Sequence, residues 1–262
     1  MTAPLRIALG EYDTGWHEPA ASLARASQVV RTAAGAGARL VVLPEMCTTG
    51  FTMDALSQAE PLDGPSVRAL GRLAAGAGVH LIAGVAVREE SEGAARAVNT
   101  ALLFGDDGAL RAVYRKQRMF AYAGEDDVYE AGRESVVIEA EGVRLALFVC
   151  YDLRFPELFR AVAPDVDAIV IIANWPAKRR AHWDTLIRAR AIENQCYVVA
   201  VNRSGSGGGI DYDGGSAAFD PWGERLAAGA AGAFAVDPAR VRAVREEYPF
   251  LRDAVRETSA RP

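Results

Sequence analysis

Apolar, β-branched runs alternate with stretches of period-3.6 apolar spacing along most of this 262-residue chain. The strand-like runs are Leu5–Gly10, Arg39–Leu43, His80–Val87, Val98–Phe104, Val136–Ala140, Val143–Val149, Asp167–Ile172 and Tyr197–Asn202. Helical spacing occupies 19–35, with Leu23, Ala26, Val30 and Ala33 on one face, and 66–76, with Val67, Leu70, Leu73 and Ala74. A third helical stretch, 180–194, aligns Trp183, Leu186, Ile187, Ala191 and Asn194. This alternation predicts an α/β protein whose sheets are covered on both faces. Two hairpins, around Gly105-Asp106-Asp107-Gly108 and Glu141-Gly142, make the sheets mixed rather than purely parallel. No linker or internal repeat divides the chain. The expectation is therefore one domain over 1–262, with its core at about 5–237 and a C-terminal tail at 238–262. The glycine-rich GSGGG at 205–209 follows a strand but precedes no helix, and no P-loop Lys-Ser/Thr pair follows it. It reads as a flexible loop and not a phosphate cradle.

Composition narrows the function without naming it. Half the residues are apolar and the formal net charge is −5. Basic residues come in short groups such as Lys178-Arg179-Arg180, read as a solvated helix start, so a nucleic-acid partner is not expected. No apolar stretch is long enough to cross a bilayer, so no membrane partner is expected. The opening MTAPLRIALGEYD lacks the features of a signal peptide and reads as a first strand. Cys47, Cys150 and Cys196 form no CxxC pair and no Cys/His metal spacing. Neither disulfides nor structural zinc is expected, and a reducing cytoplasm fits.

Cys150 ends the apolar run VRLALFVC and is followed at once by YDLRFPELFR, where Pro156 permits a helix start. A thiol at a strand-to-helix corner can stand beside backbone N–H groups and a helix N-terminus, which lower a thiol pKa. The polar residues Asp152, Arg154 and Glu157 are expected to pack behind it. A nucleophilic cysteine needs a base. None of His17, His80 and His182 carries a supporting motif. Other polar residues sit at strand ends: Pro44 closes a strand and puts Glu45 beyond its C-terminal edge, where α/β proteins gather ligand sites. Arg115 and Lys116 close the strand that begins at Leu110. Singly these are ordinary surface charges; their combination is what points to chemistry.

The strings LVVLPEMCTTGF (40–51), YRKQRMF (114–120), VCYDLRFPELFR (149–160) and ANWPAKRRAHWDTLIRARAIENQ (173–195) resemble the nitrilase, or carbon–nitrogen hydrolase, superfamily, in order and over about Leu5 to Asp237. The resemblance implies a four-layer α-β-β-α sandwich. It implies Glu45 as general base, Lys116 as oxyanion lysine, Cys150 as nucleophile and Glu125 as an assisting glutamate, with the backbone N–H of Tyr151 as a second oxyanion donor. It also implies a homodimer packed through the helix after Cys150 and the 180–194 helix, and no metal or organic cofactor. CYDLRFPE with ANWP points to the ω-amidase-like branch, whose small-molecule substrates are dicarboxylic acid monoamides of the 2-oxoglutaramate type, cleaved through a thioester. Such a substrate carries a carboxylate. Arg154 is the candidate to meet it, or else forms a structural ion pair with Asp152 or Glu157. Phe51 and Trp175 are either pocket walls or core. The alternatives are a deaminated-glutathione amidase, another small aliphatic amidase or nitrilase, or a catalytically silent binding homologue.

Overall fold

Leu5, Ile7 and Leu9 join one buried apolar cluster while Ala8 joins another, so the first strand is covered on both faces. In the computed structural model, which describes residues 3–91, 93–228 and 233–253, this segment is β1 (Leu5–Leu9). It pairs in parallel with β2 (Leu40–Val42), and β2 in parallel with β3 (His80–Ser91). The antiparallel strands β4 (Ala94–Phe104) and β5 (Leu110–Arg115) extend this sheet on one side, and β14 (Phe234–Val236) lies antiparallel to β1 on the other. The crossovers are α1 (Pro19–Gly35) and α3 (Pro65–Ala77), with a short α2 (Ala55–Gln58) preceding α3. Both long helices open on proline, whose fixed φ suits the first turn.

The second six-stranded sheet repeats the plan. β7 (Val143–Val149), β8 (Ala168–Ala173) and β9 (Tyr197–Asn202) are parallel. Their crossovers are α5 (Pro156–Val162) and α6 (Arg180–Asn194). β6 (Val137–Ala140) flanks β7, and β12 (Ala217–Phe219) followed by β13 (Arg225–Ala228) flanks β9, all antiparallel. Leu5, Ile7, Leu9, Leu40 and Val42 share one cluster with the second sheet and with Trp183, Ile187 and Ala191 of α6. Val30 and Ala26 of α1 and Val67, Leu70 and Ala74 of α3 pack instead with Ala8, Val41 and Leu81. The two sheets thus face each other between outer helices, a four-layer α-β-β-α sandwich with mixed sheets. Among the described residues no helix is long and apolar enough to cross a membrane.

Three stretches differ from expectation. β3 and β4 run in register out to Ser91↔Ala94, where Arg88, Glu89 and Glu90 replace the apolar signal that marked the rest of the strand. The GSGGG segment is not a loop. It supplies most of one strand and the turn of a hairpin, β10 (Ser204–Gly207) and β11 (Ile210–Asp213), with Gly208 and Gly209 both at positive φ, as a tight two-residue turn requires. The tail begins as α7 (Pro238–Glu247), capped by the Asp237 carboxylate accepting from Ala239 N and burying Val241 and Val244. Residues 254–262 of that tail lie outside the described residues.

What matters for function is which strand ends meet. β2, β7, β8 and β9 are the parallel strands whose C-terminal ends release Glu45, Cys150, Asn174 and Arg203. β5 points the same way as β3 and releases Lys116. One edge of the sandwich therefore collects all of them.

Candidate active site

Pro44 lacks the N–H that a further ladder bond would need, and Met46 turns the chain at φ 40°. Glu45 between them is fully buried. Its Oε2 accepts from Asn174 N at 2.8 Å, and its Oε1 accepts from Asn99 Nδ2 at 2.7 Å and Lys116 Nζ at 3.2 Å. Asn174 Nδ2 also donates to the Glu45 carbonyl at 2.7 Å. This close packing depends on Gly84, where a Cβ would lie 2.5 Å from the Glu45 Cα. Asn99, which with Thr100 breaks the apolar run of β4, also donates to Glu125 Oε1 at 2.9 Å.

Lys116 is as buried as Glu45 and donates to both Glu125 oxygens at 2.8 Å. Burial alone would strip its charge. Glu125 first, and then Glu45, outweigh that and raise the ammonium pKa above its ordinary value. Glu125 opens the single-turn helix α4 (Glu125–Val128) and accepts from Phe120 N at 2.7 Å. The Phe51 ring centroid lies 5.3 Å from Lys116 Nζ.

Cys150 leaves β7 at φ 46°, a left-handed conformation costly for any side chain but glycine's. A tight turn over Cys150–Arg154 then runs into α5 at Pro156. As a residue Cys150 is partly exposed, whereas Cys47 and Cys196 are buried, each thiol pushed up to about 12 by that burial. The expected lowering of the Cys150 pKa is reversed. Enclosure by protein and then the Glu45 charge raise it well above the ordinary thiol value, Glu125 adds to the rise, and Lys116 and the Asn174 N–H only oppose it. The resting sulfur is therefore a thiol in the field of two carboxylates and one ammonium.

Asp152 holds this corner in place. Its Oδ2 accepts from Val149 N at 2.9 Å and the Tyr114 hydroxyl at 2.7 Å, and its Oδ1 accepts from Arg118 N at 2.9 Å. The Cys150 turn is thereby tied to the segment that follows Lys116. Burial pushes the Asp152 carboxyl up to about 6 against those donors.

The polar cluster expected behind Cys150 is only Asp152. Arg154 pairs with neither Asp152 nor Glu157, because Asp152 is saturated by the β7 turn and Glu157 meets Arg118 at 3.5 Å. The Arg154 guanidinium lies 3.1 Å from His182 Nδ1 and stacks at 4.9 Å over the buried Trp175 and 6.0 Å over Tyr151. The basic trio 178–180 also splits. Lys178 is exposed, Arg180 pairs with Asp184 and Asp213, and Arg179 folds half-buried over Phe120 at 4.9 Å and Trp175 at 6.0 Å. Among the described residues, neither Arg154 nor Arg179 is paired with a carboxylate. Of the histidines, His17 meets Thr52, His80 faces Glu141 and His182 meets Arg154, so none joins the Glu45–Lys116 cluster. Among the described residues no group of three or more His, Cys, Asp or Glu is arranged to hold a metal ion.

Sequence reading missed Asn99, Asn174, Arg179 and Tyr212. Asn99 was visible as a polar break in VNTALLF, and Asn174 and Arg179 stood inside a quoted string. The buried Tyr212 on β11 was hidden by reading its neighbourhood as loop.

Comparison with known proteins agrees with this architecture. The carbon–nitrogen hydrolase family profile matches residues 6–246. The chain is 41% identical over 229 residues to the omega-amidase YafV of Escherichia coli strain K12, covering 83% of this chain and 85% of that one. It is 36% identical over 222 residues to a 2-oxoglutaramate amidase of Bacillus subtilis, covering 84% of each. Among solved structures, XC1258 of Xanthomonas campestris, a CN-hydrolase superfamily protein crystallised with an arsenic adduct in its active site, superposes with a TM-score of 0.90 at 34% identity. That match covers 98% of this chain and 99% of that one. With the profile spanning nearly its whole length, the chain belongs to the carbon–nitrogen hydrolase family.

Proposed function

We propose that this protein is a cysteine-dependent ω-amidase that cleaves small dicarboxylic acid monoamides of the 2-oxoglutaramate or 2-oxosuccinamate type. The observation that carries the reading is the buried Glu45–Lys116–Glu125 cluster set against a thiol on a left-handed corner. The names borne by the Bacillus and Escherichia relatives supply the substrate class.

In the proposed reaction Glu45 takes the proton of the Cys150 thiol as Sγ attacks the amide carbon. All three Lys116 contacts are to carboxylate oxygens at rest. Neutralising Glu45 weakens its hold on Nζ and turns that N–H toward the forming oxyanion, which the Tyr151 N–H also meets. Glu45 passes the proton to the leaving nitrogen, ammonia departs, and a thioester remains. Water, deprotonated by Glu45, attacks the thioester. The acid leaves and Cys150 recovers its proton. Glu125 keeps Lys116 charged and aimed, a positioning role. Arg154 receives the substrate carboxylate from above Trp175, with Arg179 as a second cation, and Phe51 and Trp175 wall the pocket. Two further elements belong to this proposal: one domain over the whole chain, and a cytoplasmic homodimer packed through α5 and α6. A monomer on sedimentation at micromolar concentration would remove the dimer.

The test is ammonia release from 2-oxoglutaramate, 2-oxosuccinamate, succinamate, deaminated glutathione and a simple nitrile. The 2-oxo monoamides are expected first. Deaminated glutathione or the nitrile in first place overturns the substrate assignment.

A further inference from the structure

Tyr212 is only 4% exposed, yet among the described residues its hydroxyl has no hydrogen-bond partner. Buried phenols ordinarily find one, because a donor taken out of water and left unmatched is costly. The ring is not loosely held. The buried Arg203 guanidinium stacks on it at 4.6 Å and is itself fixed by Asp13 at 2.7 Å.

The strand that carries Tyr212 is fastened to the active-site loop. Asn202 Nδ2 donates to Gly214 O at 2.7 Å and to Trp175 O at 2.9 Å, and its Oδ1 accepts from Trp175 N at 2.7 Å. Arg180 reaches Asp213 at 3.3 Å. The end of β11 is thus locked to the segment that bears Asn174, Trp175 and Arg179. β11 itself packs against the 177–179 turn that carries Arg179. Burial chiefly, against the pull of Arg203, raises the phenol pKa above its ordinary value, so the group is protonated and available as a donor.

We propose that the Tyr212 hydroxyl donates a hydrogen bond to the 2-oxo oxygen of the substrate and so sets a preference for 2-oxo ω-monoamides over their 2-methylene counterparts. This rests on the amidase reading above. In 2-oxoglutaramate the oxo group adjoins the carboxylate and is separated from the amide by methylenes. In the proposed pose the phenol, carried on a strand fastened to the segment of Trp175 and Arg179, meets that middle stretch, where the oxo oxygen is the only polar atom. Glutaramate, which lacks it, would leave the phenol unmatched. A site built around a polar contact penalises the analogue without it.

The experiment compares kcat/KM for 2-oxoglutaramate and glutaramate in the intact protein and in Tyr212→Phe, which keeps the ring under Arg203 and removes only an unpartnered oxygen. The intact protein is expected to favour 2-oxoglutaramate by about tenfold, the scale of one well-placed neutral hydrogen bond. In Tyr212→Phe the ratio is expected to fall to near one. A ratio unaltered by the substitution, whether both rates fall together or neither moves, overturns the assignment, since a phenol that merely supports the hairpin would act on both substrates alike. An intact protein that favours glutaramate overturns it too. If the intact protein releases ammonia from neither compound, the amidase reading falls first and takes this assignment with it.

Discussion

Glu45, Lys116, Glu125 and Asn99 come from the first sheet and its loops, and their charges and donors are spent on one another within a fully buried cluster. Cys150, Arg154, Arg179 and Tyr212 belong to the second sheet and its connections. There Cys150 is a partly exposed residue and, among the described residues, the two guanidiniums lie on aromatic faces without carboxylates and the phenol has no hydrogen-bond partner. The contrast separates two tasks. Charges that move protons must be fixed before substrate arrives, because reorganising them during the reaction would raise the barrier. Groups that recognise a substrate need unspent capacity. The first half should therefore answer to mutation in stability as well as turnover, and the recognition groups of the second in selectivity.

The most severe break is Lys116→Met. It leaves two buried carboxylates facing each other, and losing one partner of a buried ion pair costs about 3–5 kcal/mol. Urea unfolding should show that loss, and ammonia release should vanish. One carboxyl should then be held protonated, its folded pKa above its unfolded one, so that it binds a proton on folding. The deficit should accordingly shrink as pH falls through that window and widen as pH rises. A deficit flat from pH 4 to 8 would contradict the mutual-saturation picture. Cys150→Ala is its counterpart in the second half, with turnover lost but the urea midpoint close to that of the unaltered protein.

Glu45→Gln comes next. It keeps the shape and removes the base, and ammonia release should fall by about 10²–10⁴-fold. Retained activity would refute the assigned role. Arg154→Lys should act more gently, keeping a charge but losing the planar fork. KM should rise several-fold for monoamides bearing a carboxylate and stay put for a neutral amide of the same length. An equal rise for both would make Arg154 structural.

Asp152 gives the smallest effect and links the halves. Its carboxyl is raised to about 6 in the folded chain, above the unfolded range near 4, so its contribution to stability weakens as pH rises through that interval. Protonation also swaps an acceptor for a donor beside four N–H and O–H groups, those of Val149, Tyr114, Arg118 and Gln117. The kcat/KM profile should therefore turn down below about pH 6, and Asp152→Asn should lower activity while removing that limb.

Much of this was legible in the chain because the decisive signals were local. β7 and α6 were delimited at Val143–Val149 and 180–194, since buried parallel strands and amphipathic helices announce themselves by periodicity. Glu45, Lys116 and Cys150 stood at strand ends inside motifs, and the fold brings Glu45 and Lys116 to 3.2 Å. The thiol pKa was read in the wrong direction because it depends on burial and on charges 25 to 105 residues away in the chain, which no local string contains. Of the two readings of Arg154, the ion pair with Asp152 or Glu157 fails for a similar reason: the guanidinium lies on an aromatic face of another loop, and Asp152 is held by Val149 and Tyr114. The GSGGG hairpin was not legible because its strands are four residues each and β10 holds only Ser and Gly, which give no alternating apolar signal.

The hold of Asn174 on Glu45 has a kinetic corollary. The carboxylate belongs to one sheet and two of its tethers, Asn174 N at 2.8 Å and Asn174 Nδ2 at 3.3 Å, to the other, so either layer could form correctly and still lack an oriented proton acceptor. During refolding, far-UV ellipticity should return before enzymatic competence. The lag between them would time the moment at which the layers close on each other.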